Sequence, residues 1–562
     1  MKKVESLHTI SSFFVAFNVS TYIIPNQTIL MLNNLVAGDT MKRKVIVAAI
    51  LIVVICASFL LALSISPLKK LEGRIMNNTK KPVVLIVVDS LMNEPLQKVI
   101  KEGNAPALAY LMNNGQLHEE MISSYPTMSV TIDSTLLTGT YPNQHKVPGL
   151  IWFKEDENRI ISYGSGISEI WNNGIKNVAL DSVVHLNDSH LSKEVQTLHE
   201  ELANRNLSSA SINGLLYRGN FQHRLNIPGL ITMADLLPKD IHINGPTFFS
   251  LGTLAQYNPE NNHHNFIWQR LGINNQFTAN ELKYLIKQKR LPAFTLAYLP
   301  DADASIHKYG PEHIKGIKEV DQSLQNILNS FPSWEAAIQE LTWIILGDSG
   351  QSYVLDDKKT SLIDLNQVLK NYSFWERKNP NAQLAIAVNE RMAYIYALDQ
   401  QVELSEIVNV LKEDERIGFI AWKSGQTNYV VSPHSEGELE FSPEGKYVDN
   451  YNQSWRIAGD ASILDLNMTK EQQIIYQDYP DALARLHGAL HSQEGRVIIV
   501  DAKPSYEFIE KHSHDHAGGG AHGSLHKVDS VVPIIVTGAS KLPESNRLVD
   551  LKNWILQLLG DS

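Results

Sequence analysis

Six apolar residues, Val83 to Val88, run without interruption and then meet one carboxylate, Asp89. A run this short, rich in Val and Ile and opened by Pro82, fits a strand buried on both faces. In open α/β sheets the carboxyl ends of such strands form the crevice where ligands bind. Asp89 is therefore expected to stand at a binding crevice, with the rest of the chain arranged around it.

Other runs repeat this form. Pro292 to Leu299 leads into Asp301-Ala302-Asp303, and Leu341 to Leu346 ends in Gly347-Asp348-Ser349-Gly350. Gly495 to Val500 and Val531 to Val536 flank a loop, His512 to Gly523, rich in His and Gly. Asn104-Ala105-Pro106 predicts a helix start, with Asn as cap and Pro in the first turn, closed by Gly115. Val130 to Leu137 has helical spacing and stops at Gly139, which places Thr127 at or near a helix N-terminus. Glu312 to Leu328 is a further helix. Residues 145–290 read as crossover helices with insertions. Residues 360–490 read as a smaller α+β cap, with strands at Met392–Leu398, Ile417–Trp422 and Tyr429–Ser432 and a helix at Leu404–Leu411. The expectation is an α/β fold with a mostly parallel central sheet flanked by helices. It is built from residues 81–359 and 491–562, with the cap inserted between them.

Ahead of this lies a different segment. Lys42-Arg43-Lys44 precedes an apolar stretch from Val45 to about Ile65, long enough to cross a bilayer. Residues 45–66 are expected to be a membrane anchor, with a signal cleaved after Ala62-Leu63-Ser64 as the alternative, 67–80 a linker and 1–44 an N-terminal tail, with Met41 an alternative start. The basic flank puts everything after the span outside the cytoplasm, at the cell membrane. The only cysteine, Cys56, lies within the apolar stretch. Disulfides within the chain and thiolate metal sites are thereby excluded, so metal ligands must be oxygen or imidazole. The net charge of -11 argues against a nucleic-acid polymer as partner, while leaving small phosphate esters open.

Acidic and imidazole groups recur where these runs end: Asp89, Asp303 with His307, Asp348 and His522. Such ligands suit a pair of divalent ions, and two ions about 4 Å apart can clamp the attacking and leaving oxygens of a phosphoryl displacement. Coordination would turn the Thr127 hydroxyl into an alkoxide nucleophile. Singly, Thr127 is as well explained as a helix cap and Asp348 as a turn residue. The argument rests on their convergence.

The set KPVVLIVVDS, YPTMSV followed by LLTGTYPNQH, DASIHKYGP, LGDSGQ and GGAHG resembles the type I phosphodiesterase/nucleotide pyrophosphatase branch of the alkaline phosphatase superfamily. The resemblance implies an alkaline-phosphatase-like fold and a metal-dependent hydrolase of phosphodiesters or pyrophosphates. It implies two zinc-like sites, one with Asp89, Thr127 and Asp348, the other with Asp303, His307 and His522. It also implies that Thr127 attacks phosphorus to form a covalent phospho-enzyme. Asp303 is chosen over Asp301 because the family pattern is Asp-x-x-x-His; Asp301 would then support it from behind.

The chain departs from the family twice. Ser349 stands where the family has His, which leaves a weaker site, one that recruits another ligand, or one that prefers a harder ion such as manganese. Ile132-Asp133 occupies the neighbourhood of a phosphate-contacting Asn, so nucleotide specificity does not follow. His512, His514 and His516 read as a solvated tract, one of which is available to replace the lost ligand. Two alternatives stay open: a phosphomonoesterase or phosphonate hydrolase on the same site, and a metal-depleted binding protein.

Overall fold

The computed structural model describes residues 81–539 and 541–560. The expected tail, membrane span and linker, residues 1–44, 45–66 and 67–80, lie outside the described residues. Among the described residues no helix is long and apolar enough to cross a membrane.

Val83–Val88 is a strand, and every residue in it is buried. It is the middle strand of a seven-stranded sheet ordered Gln116–Ile122, Val531–Thr537, Thr342–Gly347, Val83–Val88, Phe294–Leu299, Ser209–Ile212 and Phe248–Ser250. Pairings are parallel except on the two sides of Val531–Thr537, which alone runs against the others. Alternate side chains enter different cores. Val83, Leu85 and Val87 pack with helices Ser129–Thr138 and Leu551–Gly560. Val84, Ile86 and Val88 pack with helices Asn93–Lys101, Pro106–Asn113 and Lys315–Leu328. Cover on both faces is why no polar residue interrupts the run.

The register of the three central strands builds the site. Val88 stands beside Gly347 on one side and Leu299 on the other. The chain therefore leaves all three strands at one edge, with Asp89, Asp348 and the helix Asp301–Tyr309 as the next groups along. One local expectation is off by a residue. Ala105, not Asn104, caps Pro106–Asn113, while the Asn104 amide is engaged by Glu102 at 3.0 Å.

The cap is larger and richer in strand than a small α+β unit. Its nine-stranded sheet is antiparallel apart from one pairing. Residues 491–562 were expected to sit wholly with the first sheet. Val497–Ala502 instead lies inside the second, antiparallel to Met392–Ala397 and Ile417–Ser424. Val497 and Ile499 enter one core, Ile498 and Val500 another. A strand covered on both faces reads alike in either sheet, so the apolar run alone could not say which one it joins.

A buried polar seam joins the two sheets. Arg391, in the turn between Leu384–Asn389 and Met392–Ala397, forms an ion pair with Asp529, and both side chains are fully buried. Arg391 also donates to the Ala502 carbonyl at 3.0 Å. Asp501 accepts from Tyr125 Oη at 2.9 Å and Ser524 Oγ at 2.6 Å. Arg485 reaches the Ser124 carbonyl at 2.8 Å and Ser530 Oγ at 2.6 Å. Removing one partner of a buried pair strands the other charge. Arg391→Met is expected to lower the unfolding free energy by about 3–5 kcal/mol. Denaturant unfolding measures this, and a loss below about 1 kcal/mol would show that the pair does not hold the sheets together.

Candidate active site

The Tyr298 hydroxyl donates to Asp89 Oδ2 at 2.7 Å and lies 3.4 Å from Asp348 Oδ2. Asp348 Oδ1 accepts the backbone N–H groups of Ser90 at 2.8 Å and Ser349 at 2.7 Å. Asp303 Oδ1 accepts from Ser90 Oγ at 2.9 Å and Gln351 Nε2 at 2.7 Å, and faces His307 Nε2 at 3.0 Å. Asp301 points elsewhere and accepts the Asn275 N–H at 2.9 Å, so Asp303 is the carboxylate that enters the site. His522 Nε2 stands 3.9 Å from Asp303 Oδ1. Asp303, His307 and His522 each offer one ligand atom, all within 4.8 Å of one another.

Thr127 was expected to present its hydroxyl to this cluster. It is fully buried and does not line the cavity formed by Asp89, Tyr298, Asp303, His307 and His522. Its Oγ1 accepts the Gly523 N–H at 2.7 Å, and its carbonyl is bonded by His522 Nδ1. Thr127 therefore fixes the tautomer and aim of His522. Ser129 does line the cavity, as the first residue of helix Ser129–Thr138, and its side chain interacts with that of Tyr298. Thr127 lies ahead of that helix, whose N-cap is Met128. A hydroxyl two positions on, in the first turn, was the signal available in the sequence.

Two further groups stand here: Glu390, which was not foreseen, and His516, which was expected in a solvated tract and is instead largely buried. Glu390, in the same turn as Arg391, places Oε1 3.8 Å from both His307 Nε2 and His522 Nε2. His516 stacks on His307 with ring centroids 4.2 Å apart, its Nδ1 held by Glu507 Oε1 at 2.7 Å. Glu390 belongs to no motif, and only the strand after it, Met392–Leu398, was expected from the sequence. Ser349 fills the position of the lost imidazole with a hydroxyl 3.3 Å from Ser90 Oγ. A third group of donors, Asp181, His185 and His190, is structural, because Arg159 clamps both Asp181 oxygens at 2.6 and 3.0 Å.

The electrostatics follow from crowding. Burial, then the neighbouring Asp348 and Asp303, push the Asp89 carboxyl well above its usual range. Burial also raises Asp348 and pushes Asp133, one turn into the Ser129 helix, up to about 8. Burial would raise Asp303 too, but His307 and His522 hold it below the ordinary carboxylate value. His307 is raised by Asp303 and Glu390 against the opposing effect of burial. Asp89 Oδ1 is buried without a hydrogen-bond partner. An orphaned carboxylate oxygen among crowded carboxylates and imidazoles is the donor set of a divalent-cation site.

The cavity has a volume of about 320 Å³. Besides the polar cluster it is lined by Leu150, Tyr163, Leu186, Leu215 and Ile273. This is a mostly apolar recess with convergent polar groups at one end, the usual make-up of a small-molecule site.

Comparison with known proteins bears on the family and on the fold. The type I phosphodiesterase / nucleotide pyrophosphatase family matches residues 83–525. Among solved structures, murine ectonucleotide pyrophosphatase / phosphodiesterase 5 superposes with a TM-score of 0.51 at 15% identity, covering 85% of this chain and 95% of that one. An inactive threonine-to-alanine variant of the murine protein, in complex with AMP, gives the same values. The human counterpart gives a TM-score of 0.51 at 16% identity with the same coverage, so the central α/β fold is shared. No curated protein sequence matches significantly. The chain belongs to the type I phosphodiesterase/nucleotide pyrophosphatase family and is a phosphoric ester hydrolase.

Proposed function

We propose that this chain hydrolyses small phosphodiesters with Ser129, rather than Thr127, as the nucleophile. The observation that carries the reading is the line from the Ser129 hydroxyl through Tyr298 to Asp89 and Asp348 on the cavity wall. In this reading Ser129 Oγ attacks phosphorus, the new O–P bond forms, and the bond to the leaving alkoxide breaks. Water then cleaves the phosphoserine and releases the second product. Tyr298 holds the attacking hydroxyl in place, and the first turn of the Ser129 helix offers free N–H groups to the phosphate oxygens. Thr127 positions His522 from behind.

Asp303, His307 and His522 would hold one cation; Asp89, Asp348 and Ser129 would hold the other. Divalent ions bound there would lower the pKa of the hydroxyl and offset charge on the phosphate. The imidazole-bearing set suits zinc; the set without an imidazole, where Ser349 replaces His, suits a harder ion such as manganese. The apolar recess would take one arm of the ester. The complex of AMP with the murine neighbour makes a nucleoside a reasonable arm to try first. The net charge of -11 and the small recess favour small substrates over a nucleic-acid polymer. The basic flank and apolar stretch at 42–65 favour a membrane-anchored enzyme acting outside the cytoplasm.

Two measurements test this. With bis-p-nitrophenyl phosphate, Ser129→Ala is expected to lower kcat by at least about 10³-fold, as loss of a nucleophile does. Thr127→Val should keep most of the rate while losing about 1–3 kcal/mol of stability through the unpaired Gly523 N–H. The opposite pattern, with Ser129→Ala active and Thr127→Val dead, would return the nucleophile to Thr127. Removing metal with a chelator is expected to lower the thermal midpoint, because cations present at 100 times their Kd contribute about 2.7 kcal/mol to the folded state. An unchanged midpoint and unchanged activity would remove the cation reading.

A further inference from the structure

The geometry points to Glu390 as a fourth ligand, supplied by the cap, for the cation at Asp303, His307 and His522. This rests on the cation reading of that cluster and adds a protein group to it. Glu390 Oε1 lies 3.8 Å from His307 Nε2 and 3.8 Å from His522 Nε2. Asp303 Oδ1 lies 3.0 Å and 3.9 Å from the same two nitrogens. Ligands of a tetrahedral zinc ion, with bonds near 2.0–2.1 Å, stand roughly 3.3 Å apart. The two carboxylates thus approach the same pair of imidazoles at distances that bracket this spacing.

The backbone at Glu390 supplies an independent argument. Asn389 pairs with Met392, so Glu390 and Arg391 form a two-residue hairpin turn. Glu390 has φ +57°, the left-handed region that the first position of such a turn normally gives to Gly. A long acidic side chain in that conformation is strained, and strain of this kind is kept where the side chain has a task. Its surroundings hold it there. Glu390 Oε2 accepts the His522 N–H at 2.9 Å, and the Glu390 carbonyl accepts the Phe508 N–H at 2.8 Å. The Arg391 N–H donates to the His522 carbonyl at 2.9 Å. The turn and the His522 loop therefore form one unit. His516, with Nδ1 taken by Glu507, stacks on His307, and its ligand atom lies within 4.8 Å of those of His307 and Glu390.

The consequence is specific. A catalytic zinc site usually keeps its fourth position for water or substrate. Here a carboxylate from the second sheet stands at that position, so an incoming phosphate oxygen must share it with Glu390 or displace it.

The full-length protein, stripped of metal and titrated with zinc against a chromogenic chelator, tests this. The wild type is expected to bind zinc and His307→Ala to lose that binding. If the wild type binds none, the underlying cation reading has failed. Glu390→Gln keeps the size of the side chain and an oxygen for the His522 N–H. It is expected to weaken zinc binding by more than about 100-fold, beyond the roughly 10–100-fold typical of groups that only orient a ligand. The visible spectrum of the cobalt-loaded protein should change with it, since the ligand set changes. A smaller loss, or an unchanged cobalt spectrum, would reduce Glu390 to an orienting role and overturn the assignment. Should Glu390→Gln fail to fold, Glu390→Asp, which retracts the charge by one methylene, is held to the same threshold.

Discussion

The structure depends on keeping carboxylates together out of water. Asp89, Asp303 and Asp348 meet at the edge where three parallel strands end in register. Like charges in a desolvated pocket repel strongly, and each loses hydration as well. The fold answers with donors from every side. Two backbone amides serve Asp348, Tyr298 serves Asp89, and Ser90, Gln351 and His307 converge on Asp303. What these donors leave unanswered, including the bare Asp89 Oδ1, is the charge imbalance that a cation would meet.

The second sheet is part of this arrangement. The tip of its first hairpin puts three consecutive side chains to different uses. Asn389 accepts the N–H groups of Leu150 and Ile151 at 2.8 and 3.0 Å, which fixes a cavity wall. Glu390 enters the site, and Arg391 anchors the turn to Asp529 just ahead of the reversed strand Val531–Thr537. A rigid tip matters because a ligand that swings costs affinity and selectivity. The buried Arg391–Asp529 pair is weak evidence of net stabilisation but good evidence of a fixed register between the two sheets.

Much of this was legible in the sequence because it rests on local patterns. A continuous apolar run reports a strand covered on both faces, and a carboxylate at its end reports the crevice. The Asp303–His307 spacing was read as a family pattern, and the structure gives it a cause by putting both groups on one face of the helix Asp301–Tyr309. The failures came where the deciding term is not local. Thr127 and Ser129 both flank the same helix start, and only the course of the chain into the helix decides which hydroxyl faces the cavity. Val497–Ala502 satisfies either sheet equally well. Glu390 lies 39 residues beyond the nearest motif, LGDSGQ at 346–351, in a turn whose preferred residue is Gly, so nothing in its own neighbourhood announces it.

The exchange of His for Ser at position 349 gains its meaning from this geometry. Ser349 keeps the backbone amide that serves Asp348 but gives up an imidazole, so the Asp89–Asp348 side of the site retains oxygen donors alone. On the other side His307, His522 and His516 crowd around Asp303 and Glu390. Nitrogen ligands have thus collected at one end and hard oxygen ligands at the other. Borderline ions such as zinc prefer the first environment, and hard ions accept the second. Two unlike ions bound there would divide the work unevenly. In the proposed reading the imidazole-rich end would be the tighter anchor, while the oxygen-only end, next to Ser129, would act on the attacking hydroxyl. A loss that looks like decay in a list of motifs is, in three dimensions, a sorting of donors toward opposite ends of one cavity.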